Sequence, residues 1–360
     1  MKPISTAPSR GRIALSALIS CVLAAQAVPA RSAESFYDGR QMTMLVPYGA
    51  GGAYDILARL LARHIGNHIA GAPSFVAINM PGAGGLKAAN HFANVAPHDG
   101  SVMAIMSQGL PLYQLRDGKG LKTDVRQFNW IGNMSYSNQM MAAWYGSPVK
   151  TLDDAKRKEF IIAATGRGAI PAQLAAAYNY LVGTKLRIIW GYRGSQQMYM
   201  AMESGEVEGR ATNTWAGYRA EKPDWVAQKK LNFLIQVGTR KEPDLPEVPL
   251  LADLVKGDRE REGIARVLSL AVMVGRPIAV APGVPADRIA LLRRAFDETL
   301  KDPAFLADAK RANSEIRSMT GAELTSLIDE LFATPKPLIA KLNHAISPRE
   351  GEFAERRQKN

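Results

Sequence analysis

Short apolar runs alternate with helical patterns along most of this 360-residue chain. Residues 42–46 form a compact apolar run that stops at Pro47. Beyond it Ile56, Leu57, Leu60, Leu61 and Ile65 recur at helical spacing, with Arg59 and Arg63 on the opposite face. That pattern predicts a strand, a glycine-rich turn and an amphipathic helix. Residues 75–78 predict a second strand, 82–85 a turn, 86–95 a helix and 102–106 a third strand. A βαβαβ rhythm of this kind implies a parallel sheet with right-handed crossovers.

The rhythm breaks near residues 129–147 and then resumes. Thr151 and Asp154 have capping-box spacing and open a short charged helix. Residues 160–164, 187–190 and 231–237 read as strands, with helices at 172–181 and 195–203. A charged linker at 256–262 leads to another apolar run, 268–274, read as a strand. Helical patterns fill 287–300, 303–312 and 320–332, the last opened by Thr320 and Glu323. The tail 348–360 is charged, lacks apolar periodicity and is expected to be disordered. Two such blocks imply two α/β lobes, each a mainly parallel sheet flanked by helices. The expected division is 34–140 with 268–347 in lobe 1, and 141–267 in lobe 2.

The first 33 residues stand apart. Lys2, Arg10 and Arg12 precede an uncharged apolar stretch at 13–28, and small residues at Ala30 and Ala33 offer cleavage sites. This is the layout of a secretory signal peptide, so the mature chain is expected to be exported. Leu18, Ile19, Ser20 and Cys21 also fit a lipoprotein box, which would anchor the chain instead. Against that reading, the apolar stretch before Cys21 is short and continues past it. Cys21 is the one cysteine, so the rest of the chain forms no internal disulfide and no cysteine metal site. The formal charge is +12, which suits the steering of anions. No basic block is interleaved with aromatics, so nucleic acid is not an expected partner. After the signal no eighteen-residue apolar stretch predicts a membrane span.

The turn at residues 47–55 carries the most chemistry. Gly49, Gly51 and Gly52 lie between a strand end and a helix start, where backbone N–H groups converge and the helix adds partial positive charge. Open α/β sheets bind ligands at that edge, although the same glycines also suit a tight turn with no ligand. Gly49 and Gly51 lack the third glycine of a dinucleotide fingerprint, and the turn at 82–87 lacks P-loop spacing. Asp55 reads as a cap or loop-orienting residue more readily than as an acid or base. Thr165, Gly166, Arg167 and Gly168 repeat the device, as do Gly191, Tyr192, Arg193, Gly194 and Ser195. Arg167 and Arg193 are candidate carboxylate clamps, or else solvated surface arginines. The sequence has no G-x-S-x-G and no H-E-x-x-H. His64 and His68 have helical i, i+4 spacing but no third ligand, so no metal and no cofactor are expected.

Taken together, residues 45–59, 79–85 and 97–100 resemble the loops of the tripartite tricarboxylate transporter substrate-binding receptors, the Bug family. Weaker matches at 166–168, 190–194, 245–249 and 281–285 extend the resemblance from about Met42 to Phe332. It implies a Venus-flytrap fold with the ligand held mainly by backbone groups and ordered water in two facing loops. By position it implies contacts from Tyr48, Gly51, Gly52 and Ser107 in one lobe and Thr165, Gly166, Gly194 and Ser195 in the other. Gly49, Asp55, Gln108, Arg167, Tyr192, Arg193 and Asn213 complete the candidate ligand-binding set. Tyr54, Met80, Arg210 and Asn213 depart from the family pattern and bear on ligand choice. The resemblance further implies a carboxylate ligand, a periplasmic location and integral membrane transporter subunits as partners; a monomer is expected. The alternatives are a receptor for a membrane signalling partner, and a two-domain enzyme with Asp55 as its base.

Overall fold

The computed structural model describes Met1 and residues 33–166, 169–347, 349 and 351–355. Residues 2–32 of the expected signal peptide, and Arg167, lie outside the described residues. Twelve strands are described: β1 Gln41–Val46, β2 Ser74–Asn79, β3 Val102–Ile105, β4 Asn129–Asn133, β5 Gln139–Trp144, β6 Phe160–Ala164, β7 Leu186–Trp190, β8 Gly209–Thr214, β9 Leu231–Val237, β10 Pro277–Val280, β11 Met319–Thr320 and β12 Phe353–Glu355. They form two sheets, ordered β11-β4-β10-β3-β1-β2 and β12-β7-β6-β8-β5-β9.

The expected parallel units stand in both sheets. β1 runs parallel to β2 and β3, and β6 runs parallel to β7 and β8. The strand that follows each lobe crossing runs the other way: β10 is antiparallel to β3 and β4, and β5 is antiparallel to β8 and β9. Each sheet is therefore mixed. β1 shows why its residues make a central strand. Met42, Met44 and Val46 enter one core layer and Leu45 the opposite one, as the two-residue period of a strand buried on both faces requires.

The chain passes from β4 to β5 through residues 134–138 and returns through 274–276. The two passages are bonded side by side: Arg276 N donates to Ser135 O at 3.0 Å and Met134 N to Arg276 O at 3.2 Å. Gly275 fits there because its φ is +64° and a Cβ would lie 2.4 Å from Ser135 O.

Three elements differ from the sequence reading. The run 268–274 is the end of a helix, Arg259–Met273, and not a strand. The charged stretch expected to be a linker starts that helix, with Asp258 capping Glu260 N and Arg261 N. A run apolar on every side suits either period, and here Ile264, Leu268, Ala271 and Val272 pack into the core around the second sheet. The helix Lys336–Ala345, expected with lobe 1, also packs into that core through Leu342 and Ala345. Finally, the tail is not wholly without structure. β12 pairs in parallel with the edge strand β7, and Phe353 stacks on Trp190 at 4.8 Å. An edge strand offers unpaired backbone groups to any segment long enough to reach it.

Candidate ligand-binding cleft

The glycine turn of lobe 1 lies between β1 and the helix Ala53–His64. Its geometry depends on Asp55, which is 4% exposed. The Asp55 carboxylate accepts hydrogen bonds from Gly51 N (2.9 Å), Arg59 Nε (2.9 Å) and Asn79 Nδ2 (2.8 Å). Burial by itself would raise its pKa; these donors outweigh burial and hold it below the ordinary carboxylate value. Asp55 therefore orients the loop and has no proton to give near neutrality. Tyr48 shares a 2.7 Å hydrogen bond with Ser107, and burial pushes its phenol pKa upward, so it stays a neutral donor. The Tyr54 hydroxyl accepts from Gln108 N at 3.1 Å and donates to Gly275 O at 3.4 Å, which ties the turn to the returning passage.

Facing this turn, lobe 2 presents Thr165 after β6, Gly194 and Ser195 at the start of the helix Ser195–Glu203, and β8. Between the lobes lies a cleft of ≈ 600 Å³, mouth included. Of the candidate residues, Tyr48, Gly49, Gly52, Ser107 and Gln108 line it from lobe 1. Thr165, Gly194, Ser195 and Asn213 line it from lobe 2. Gly51 sits at its edge, where its carbonyl accepts from Gln196 Nε2 at 2.8 Å across the lobes. Gly166 lies against Gly84, with a position for Cβ 3.2 Å from Gly84 N. Gly84 itself has φ +66° and a Cβ there would meet Ala169 N at 2.9 Å, so the close approach of the two lobes requires glycine. Tyr192 is buried away from the cleft and donates to Glu206 at 2.9 Å, while Arg193 is exposed and is not a lining residue. His64 and His68, weighed as a metal pair, instead bond separately to Asp308 (2.6 Å) and Asp302 (2.9 Å). Among the described residues no cluster of three or more His, Cys, Asp or Glu is placed to hold a metal ion.

Among the described residues the charged lining residues are Arg210, Arg276 and Glu221, none of them in the candidate set. Arg210 and Arg276 are only 3% and 5% exposed. Arg276 lies over the Tyr54 ring at 4.3 Å and donates to Gln108 Oε1 at 3.2 Å. Arg210 lies over the Tyr199 ring at 4.9 Å. Burial opposes its charge, but the neighbouring Tyr199, Tyr218 and Glu221 outweigh that and keep its pKa above the ordinary guanidinium value. Glu221, at the end of the helix Trp215–Glu221, reaches across from lobe 2. Its carboxylate accepts from Ala53 N in the first turn of the lobe 1 helix and from Tyr199 OH, each at 2.5 Å. Asn213 Nδ2 donates in turn to Tyr199 OH at 2.8 Å. The helix N-terminus that the sequence marks as an anion seat thus already holds a carboxylate of the protein itself. Only Arg210 had a sequence signal, as a departure from the family pattern. Nothing in the local sequence marks Arg276 or Glu221, because their burial arises from the meeting of the two lobes.

Two lobes of mixed sheet and helix, joined by adjacent passages and enclosing a polar cleft, define the periplasmic binding protein fold. No family model matches the chain. It is 26% identical over 341 residues to the UPF0065 protein of the gbd 5' region of Cupriavidus necator, covering 91% of this chain and 95% of that one. In structure it is similar to the periplasmic binding protein BugD, with TM-score 0.69 and 19% identity, covering 88% of this chain and 100% of that chain. It is likewise similar to MatC from Rhodopseudomonas palustris with bound malate, with TM-score 0.65 and 18% identity, covering 86% and 99%. In sequence the chain is thus similar to a UPF0065 protein, and in fold to periplasmic binding proteins such as BugD.

Proposed function

We propose that this protein is a periplasmic solute receptor that captures a small organic carboxylate in the interlobe cleft and delivers it to a tripartite tricarboxylate-type membrane transporter. The observation that carries the proposal is the charge of the cleft. Among the described residues, two buried guanidiniums and one carboxylate line it, leaving one positive charge in excess for an anion to balance. Arginine suits carboxylates, and an ionic hydrogen bond strengthens where water is excluded. The bound malate of MatC is a ligand of the same class. A ligand touching both lobes favours the apposed state by the difference in its contacts, and that state is what a transporter would recognise. An enzyme reading would need a general base, and Asp55 is fully engaged as a loop anchor. Among the described residues no helix is long and apolar enough to cross a membrane.

The test is a thermal-shift screen against mono-, di- and tricarboxylates, aromatic acids and acidic amino acids. A ligand at about one hundred times its dissociation constant should add ~2.7 kcal/mol and raise the melting temperature, with the compound recovered unchanged. A flat response to the whole panel would count against carboxylate capture.

A further inference from the structure

Four side-chain atoms on the lobe 2 wall of the cleft are shut off from solvent without a hydrogen-bond partner among the described residues. They are Nε and Nη1 of Arg210, Nε2 of Gln139 and Oγ1 of Thr165. All four are hydrogen-bond donors. At Gln139 the acceptor is already used, since Oε1 takes the Thr212 hydroxyl, so the amide donor is what remains. Arg210 and Gln139 are 3% and 2% exposed. Nη2 of Arg210 reaches Ser195 Oγ at 3.5 Å, the outer limit of a hydrogen bond.

Native proteins leave few buried polar groups without a hydrogen-bond partner. Three residues with orphaned donors on one wall of one cleft form a surface made for acceptor oxygens. The opposite wall narrows the choice of seat. There the backbone N–H at the start of the lobe 1 helix is taken by Glu221, and Arg276 is partly engaged by Gln108. We infer that Arg210, flanked by Gln139 and Thr165, is the ionic anchor for the ligand's carboxylate. Recognition is then by a side-chain charge from lobe 2, in place of a ligand held mainly by backbone groups and water. The inference rests on the carboxylate reading above, and its test separates the two.

The full chain and the variants R210M, R210K and Q139L are titrated calorimetrically with malate and with a panel of mono- and dicarboxylates and their methyl esters, and each is melted without ligand. The parent should bind a carboxylate and not its ester. R210M should bind it about 30-fold or more weakly, as expected when one partner of a buried charge pair is removed. R210K should fall in between, and Q139L should lose about fivefold, the worth of one hydrogen bond. Without ligand, R210M should melt close to the parent, because Nε and Nη1 of Arg210 have no hydrogen bond to lose. A purely structural arginine would move that readout downward. R210M affinity within twofold of the parent overturns the inference, whatever the melting order. If R210M melts lower and also binds weakly, R210K decides: parental melting with partial affinity supports the anchor, and affinity no better than R210M overturns it. If the parent binds no carboxylate, the carboxylate reading fails. The anchor assignment, which rests on that reading, is then overturned with it, whereas parental binding with R210M unaffected overturns the anchor alone.

Discussion

Three donors converge on the Asp55 carboxylate, and they determine both what the residue does and how it responds to acid. Its folded pKa lies below the ordinary value of 3.8, so the folded state binds fewer protons than the unfolded one across that interval. The stability it confers is present in full above the unfolded pKa and is lost as pH falls through the folded pKa. Asp55→Asn should therefore cost on the order of 1–3 kcal/mol at pH 7, and the gap to the parent should begin to narrow as pH falls below the unfolded value of 3.8. Urea unfolding at stepped pH measures this; a gap that persists unchanged at pH 2.5 would refute it. The role was legible in sequence as a residue three places into a helix after a glycine turn. The buried charge of Arg276 was not, because its partners Tyr54 and Gln108 come from segments far away in the chain.

At the scale of elements, the contact to test is the one Glu221 makes across the cleft. Its carboxylate caps the helix Ala53–His64 from the other lobe, so it adds a cap and a dipole interaction only when the lobes are apposed. Glu221→Ala should weaken that apposition by about 1–2 kcal/mol. In small-angle scattering the ligand-free variant should show a larger radius of gyration than the parent in the same buffer; identical profiles would show that Glu221 does not hold the lobes together. The helix Trp215–Glu221 that carries it escaped the sequence reading. Four of its seven residues are buried, so a one-sided apolar stripe is missing from its pattern. The capping boxes at Thr151 and Thr320, by contrast, form as read, since each needs only its own turn of helix.

At the scale of the whole molecule, the two sheets are linked by more chain than the βαβ blocks suggest. The tail adds an edge strand to the second sheet, with Phe353 stacked on Trp190. Deleting residues 348–360 should therefore lower stability by on the order of 1 kcal/mol, through the lost stacking and the bared edge. Denaturant midpoints of the shortened and full chains decide this, and coincident midpoints would show that β12 contributes nothing. The sequence by itself determined the strand and helix periods, the glycine turns at 47–55 and 82–85, and hence the two-lobed α/β class. Each of these depends on contacts within a few residues or on one element's buried face. The tertiary structure alone decided that the run 268–274 is a helix end, that Glu221 occupies the first lobe's anion seat, and that Arg210 and Arg276 face one cleft. The reason is physical: whether a charge is buried, and what it meets there, depends on surfaces brought together from distant parts of the chain.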